Sequence, residues 1–221
     1  MIPLRDVIPS RTTPYVTIGI ITLNALAFLY ELSLGPLVNT LVTVFGLVPA
    51  DFSWTTVFTS MFLHGGFLHV AGNMLYLWIF GDNVEDRVGH GRFVAFYLLC
   101  GIAAALAQTA VAPHSRMPMV GASGAIAGVM GAYFVLYPHS RVLTLLPIFI
   151  FWQIIEVPAI FFLGMWFLMQ FLSGVGSITT TAGDVGGVAF WAHVAGFIAG
   201  IGLVYVLRRP ERERVEWWND R

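Results

Sequence analysis

A serine in Gly121-Ala122-Ser123-Gly124 and a histidine in Ala192-His193-Val194-Ala195-Gly196 stand inside stretches that are otherwise almost wholly apolar. Polar groups in such runs are costly and mark function, and a serine facing a histidine is the minimal nucleophile and general base of acyl transfer. A third stretch holds His69 and Asn73, four apart and therefore on one helical face, from which both can donate toward a single point. Two such donors, joined by the backbone N–H groups of a helix starting at Gly121–Ser123, make an oxyanion hole. The plainer alternative is that these groups are hydrogen-bonding glue between packed helices. His64 lies five before His69, about 140° round an ideal helix, and is expected to point elsewhere and brace the segment 35–63.

Composition says where these groups sit. The chain of 221 residues is 57% hydrophobic and 10% charged, whereas soluble domains carry about 25% charged residues. That places it in the membrane class. A net charge of -1 gives no polyelectrolyte signal for nucleic acid. Cys100 is the single cysteine, which rules out an internal disulfide or a thiolate cluster. No His-Glu-x-x-His run occurs and no acidic residue accompanies the histidines early in their stretches, so no metal and no other cofactor is expected.

Runs of about 20 apolar residues predict an all-α bundle of six spans near 14–34, 64–81, 93–112, 121–138, 154–174 and 188–207. Residues 1–13 then form an N-terminal segment, 14–207 one six-span domain and 208–221 a tail. The first run continues past Ala25-Leu26-Ala27 to Leu34, too far for a cleaved signal peptide. The stretch 35–63, broken by Pro36 and Pro49, is expected to lie beside the bundle at the membrane interface. There is no lysine, and an inside N-terminus puts ten arginines on the cytoplasmic face and only Arg116 outside. The positive-inside rule therefore predicts N-in, C-in. Under that topology the second, fourth and sixth spans run the same way, and His64, His69, Asn73, Ser123 and His193 come to one level in the outer half of the bilayer. Ser123 shares a helical face with Ala127 and Gly131, and His193 with Gly196 and Gly200, small residues that let two backbones approach closely.

The ordered set His64-x4-His69-x3-Asn73, Gly121-Ala122-Ser123-Gly124 and Ala192-His193-x2-Gly196 resembles the rhomboid intramembrane serine proteases, over essentially the whole chain. Phe58-Thr59 and Val84-Glu85-Asp86-Arg87-Val88-Gly89 match as well. The resemblance implies a six-helix rhomboid fold, a Ser123 nucleophile, a His193 base, and oxyanion donors from His69, Asn73 and the Ser123 amide. It makes His64, Gly121, Gly124, Gly196, Glu85 and Arg87 structural supports. It departs from the family where some members carry an aromatic residue four after the serine, here Ala127, so another group must hold the imidazole. Trp54-Thr55-Thr56 lacks the arginine of a Trp-Arg pair, and Gly72 replaces an aromatic residue.

The nearest acidic residues, Asp184 and Glu156, are remote in sequence from His193, so a dyad is expected rather than a triad. The Gly-rich loop 173–187 and the aromatic fifth span, with Phe161, Phe162, Trp166, Phe167 and Phe171, are candidates for a lid and lateral gate. The expected substrates are transmembrane segments of other membrane proteins, and the expected home is a prokaryotic plasma membrane. A non-catalytic membrane adaptor or chaperone of the same family is expected to have lost the serine or histidine, and a transporter to show a polar path across the full thickness.

Overall fold

The structure is a computed structural model and describes residues 1–148, 151–179 and 189–209. Six long helices dominate it: α1 (Tyr15–Ser33), α4 (Phe67–Val88), α5 (His90–Val111), α6 (Ser123–Leu136), α7 (Ala159–Thr179) and α8 (Phe190–Leu207). Two short ones, α2 (Val38–Phe45) and α3 (Trp54–Thr59), lie between α1 and α4. Among the described residues, Tyr15–Ser33, His90–Val111, Ala159–Ser177 and Phe190–Leu207 are long and apolar enough to cross a membrane. Helix α4 carries Asp82, Glu85, Asp86 and Arg87 in its last two turns. Helix α6 has 14 residues, about 21 Å at 1.5 Å per residue, and falls short of the ~30 Å hydrocarbon core.

The chain is mostly helical but not all helical, which corrects the all-α expectation. Strands β1 (Ile2–Asp6), β2 (Arg141–Ile148) and β3 (Phe151–Pro158) form an antiparallel sheet in the order β1-β2-β3. The helix over the anticipated fifth span accordingly begins at Ala159 rather than 154. The apolar run through 154–158 is continuous with the helix, but it is rich in β-branched residues and ends at Pro158, which lacks the N–H a helix interior needs.

Glycine sets the tightest contact in the bundle. A Cβ on Gly196 would stand 2.1 Å from the Gly124 carbonyl oxygen, and one on Gly200 1.9 Å from that of Gly128. Helices α6 and α8 therefore meet backbone to backbone: on α8 through Gly196 and Gly200, as the spacing predicts, and on α6 through Gly124 and Gly128 as well as the predicted Gly131, whose Cβ would stand 2.1 Å from the Phe197 carbonyl oxygen. The segment 35–63 lies beside the bundle, where Leu47 and Val57 bury against Ala105 of α5.

At the opposite end of α4, fully buried Glu85 accepts from the Val16 and Thr17 amides (3.0 and 2.7 Å) and the Thr17 hydroxyl (2.7 Å). A carboxylate there satisfies amides that α1 cannot pair within itself and sits favourably at the positive end of its dipole. His90 Nδ1 lies 2.5 Å from the same carboxylate. Arg87 adds its carbonyl, which accepts from the Arg209 amide at 2.9 Å and ties down the end of α8.

Asp6 of β1 plugs into this end of the bundle, accepting from the Tyr133 hydroxyl of α6 (2.6 Å) and from Asn83 Nδ2 of α4 (3.0 Å). Burial pushes its carboxyl up from 3.8 to about 6; the Tyr133 hydrogen bond opposes the shift and nearby Asp82 adds to it. A carboxyl with a raised folded-state pKa stabilises the fold below its unfolded pKa and loses that contribution as pH rises through the folded one. We therefore expect the thermal midpoint of the wild type, relative to Asp6→Asn, to fall as pH rises from 3.8 to about 6. Parallel melting curves for the two across that window would assign Asp6 an ordinary pKa.

Candidate active site

The residues around Ser123 are held by backbone pairing that the short α6 makes necessary. Leu47 and Met119 exchange both hydrogen bonds of a β-bridge (2.9 and 2.8 Å), and the Gly121 amide donates to the Ser60 carbonyl at 2.8 Å. This fixes an extended approach that stops at Ser123, the first residue of α6. The N-cap, Ala122, has no capping side chain, so the first amides of α6 carry no helical or capping partner. Gly121 has φ +128, in the region that favours glycine, and a Cβ there would lie 2.8 Å from the His69 ring.

His193 sits in the first turn of α8, its amide donating to the Ala189 carbonyl at 3.3 Å. Its Nε2 lies 2.7 Å from Ser123 Oγ, and its Nδ1 lies 2.8 Å from Gln170 Oε1 of α7. An amide oxygen only accepts, so this network puts the ring proton on Nδ1 and leaves the Nε2 lone pair to receive the serine O–H. The Trp166 ring, one turn earlier on α7, lies 5.9 Å from the imidazole. Together Gln170 and Trp166 occupy the role left open by Ala127. The Ala192 amide donates to Gln108 Oε1 of α5 at 3.2 Å, which seats the start of α8.

Helix α4 brings the two donors. The Gly65 amide donates to His69 Nδ1 at 3.3 Å, which places the His69 proton on Nε2. That Nε2 and Asn73 Nδ2 lie 2.8 and 3.7 Å from the point where a Gly121 side chain would begin, so both are directed at the strip beside the serine. Asn73 Nδ2 is buried without a protein partner. Ser123, His193, His69, Asn73, Gln170 and Trp166 line one cavity of about 430 Å³, which Tyr76 and Met119 also line.

The other anticipated residues fall into three places. Gly121 and Gly124 line the same cavity, and Gly196 sits at the α6–α8 crossing. Glu85 and Arg87 lie at the far end of α4, about 18 Å from Asn73 along the helix axis to Glu85. His64 departs from expectation. Helix α4 begins at Phe67, so the 140° argument does not apply; the His64 ring packs edge-on against His69 with centroids 5.1 Å apart. Its amide is held by the buried Glu31 carboxylate of α1 at 3.1 and 3.3 Å rather than by the segment 35–63.

Glu156 is remote from His193, paired with Arg141 at 2.9 Å on the hairpin, and Asp184 lies outside the described residues. So do 180–187 of the anticipated lid, whereas 173–179 belong to α7. Gln170 and Trp166 escaped the sequence reading as partners of the histidine. The signal for Gln170 was present: it is the one amide in the apolar run 159–172, and a lone polar group in a span faces the interior.

A family model described as the Rhomboid domain matches residues 51–210. The rhomboid protease GluP of Bacillus subtilis (strain 168) is 38% identical over 109 residues, covering 48% of this chain and 21% of that protein. Rhomboid protein 1, mitochondrial, of Saccharomyces cerevisiae is 30% identical over 165 residues, 72% of this chain and 44% of the relative. Presenilin-associated rhomboid-like protein, mitochondrial, of Mus musculus is 34% identical over 138 residues, 60% and 36% of the two chains. The matched stretch spans less than half the length of each of these relatives.

Proposed function

The chain belongs to the rhomboid family, and on that premise we propose that it is an intramembrane serine endopeptidase using a Ser123–His193 dyad. The observation that carries this reading is the 2.7 Å contact from Ser123 Oγ to His193 Nε2, inside a cavity that also holds two aimed donors. His193 Nε2 takes the hydroxyl proton as Oγ attacks the scissile carbonyl. The carbonyl oxygen becomes an oxyanion that accepts from His69 Nε2–H, Asn73 Nδ2–H and the Ser123 amide. His193 then gives its proton to the departing amine, leaving an ester on Ser123. Water enters, loses a proton to His193, and hydrolyses that ester. Throughout, Gln170 keeps the second ring proton on Nδ1.

A substrate bond must leave helical hydrogen bonding before it can be attacked, so the substrate class is a transmembrane segment that unwinds readily. With the N-in, C-in orientation that the arginine distribution supports, the cavity lies toward the outer side of the bilayer, and the GluP relative supports a prokaryotic plasma membrane as the home. The apolar helices and the family make the chain a multi-pass integral membrane protein. Water and polar backbone at this depth are tolerated where they line a cavity, and the short α6 provides one.

Labelling with a serine-directed fluorophosphonate tests the reading. Wild type in liposomes is expected to label at Ser123, Ser123→Ala to give no label, and Gln170→Ala to label about tenfold or more slowly, in the range of weakened general-base catalysis. Absence of label on folded wild type would favour a membrane adaptor, a reading open to a family in which some relatives are named only rhomboid-like.

A further inference from the structure

The hairpin β2–β3 has no counterpart in the proposed chemistry, yet it carries the most conspicuous uncovered apolar surface outside the helices. Phe151 and Trp152 are 67% and 64% exposed, and Ile154 is also exposed. Among the described residues only β2 pairs with strand β3, which makes it an edge. It reads Phe-Trp-Gln-Ile-Ile-Glu-Val-Pro, with no lysine or arginine to guard that edge. In water such a strand is a template for aggregation.

We propose that this hairpin lies along the lipid headgroup layer, as an interfacial anchor contiguous with the lipid-facing side of α7. Two observations select lipid as the occupant. Helix α7 exposes Phe161, Met165, Leu168 and Leu172 at helical spacing on one side, while Phe162 and Leu163 are buried on the other. That apolar stripe passes into β3 without a linker, Pro158 being followed directly by Ala159. The junction is clamped by the Ala159 amide on the Ser140 carbonyl (2.7 Å) and the Ile160 amide on that of Pro138 (3.1 Å).

Depth follows from hydrogen bonding and length. The apolar stretch Ala159–Ser177 has 19 residues, about 28 Å of helix, which fills a ~30 Å hydrocarbon core without help from β3. An open strand edge is not stable in hydrocarbon, where its unpaired N–H and C=O groups find no partners. The headgroup layer supplies those partners and is where tryptophan collects. The exposed Arg141–Glu156 ion pair belongs at the same polar level. Gln170 lies eleven residues beyond Ala159, about 17 Å along α7, so an anchored hairpin sets the depth at which Gln170 meets His193.

Nitroxide labels at Phe151→Cys and Ile154→Cys in the full chain, with exposed Leu168→Cys, about 14 Å along α7 from Ala159, as the hydrocarbon reference, test this in phosphatidylethanolamine–phosphatidylglycerol vesicles. Cys100 is buried and stays out of reach of the reagent. Collision rates with oxygen and with a water-soluble nickel chelate are read by power saturation. The expected result is an oxygen-to-nickel contact ratio at 151 and 154 above that of a label free in water and below that at 168, unchanged when labelled protein is diluted with unlabelled. Nickel contact equal to that of a label free in water would overturn the proposal. So would dipolar broadening that disappears on dilution, because a second copy would then cover the strand. Neither outcome depends on catalytic activity, so the anchor and the protease reading fail separately.

Discussion

His193→Ala is expected to lower kcat for reporter cleavage by about 10⁴-fold or more, the scale seen when the base of a serine protease is removed. Ser123→Ala is expected to cost as much, and the double variant little beyond either. The two groups perform one act, the transfer of a proton while Oγ attacks, so removing either removes the act. Helix packing should survive both changes, because α6 and α8 meet through Gly124, Gly128, Gly196 and Gly200 rather than through the two side chains. Single-turnover cleavage by protein whose thermal midpoint is unchanged is the measurement. A loss of only a few fold would mean that Ser123 and His193 are interhelical glue.

Asn73→Ala carries the second largest expectation, a fall in kcat of about 10² to 10³ with little change in KM, as for loss of one oxyanion donor. The amide is a discriminating position because Nδ2 is buried without a protein partner. A buried unsatisfied donor costs about 1–3 kcal/mol, so removing it should leave the fold as stable as before or more so. Were Asn73 a structural link, the same substitution would lower the thermal midpoint and leave the chemistry of the surviving folded fraction intact. Measuring kcat, KM and the midpoint on one preparation separates the two roles.

The parts of the site that were legible in sequence are those whose spacing is enforced by a single helix. His69 and Asn73 share a face because four residues nearly complete a turn, and the glycines after Ser123 and His193 appear at intervals that only close backbone packing explains. What stayed hidden depends on partners far apart in sequence or on where an element begins. Gln170 meets His193 across 23 residues, and no periodicity within α7 announces which partner its amide takes. His64 was misplaced because α4 starts at Phe67, after Gly65-Gly66, and a residue ahead of the first turn obeys no helical wheel. The β2–β3 hairpin was missed because its apolar run merges with that of α7; hydropathy alone does not distinguish a buried or interfacial strand from the start of a span. The span read at 121–138 overruns α6 by two residues at each end, Gly121-Ala122 and Tyr137-Pro138, where the apolar run continues past the helix.

The most direct test is to reconstitute the wild-type chain and Ser123→Ala in liposomes with a tagged single-span reporter, and to weigh the products by mass spectrometry. Wild type is expected to give two fragments that sum to the reporter plus one water, cut within or at the edge of its apolar span, and Ser123→Ala none. Equal cleavage by both proteins, or an intact reporter across several helix-labile spans with folded wild type, would contradict the protease reading.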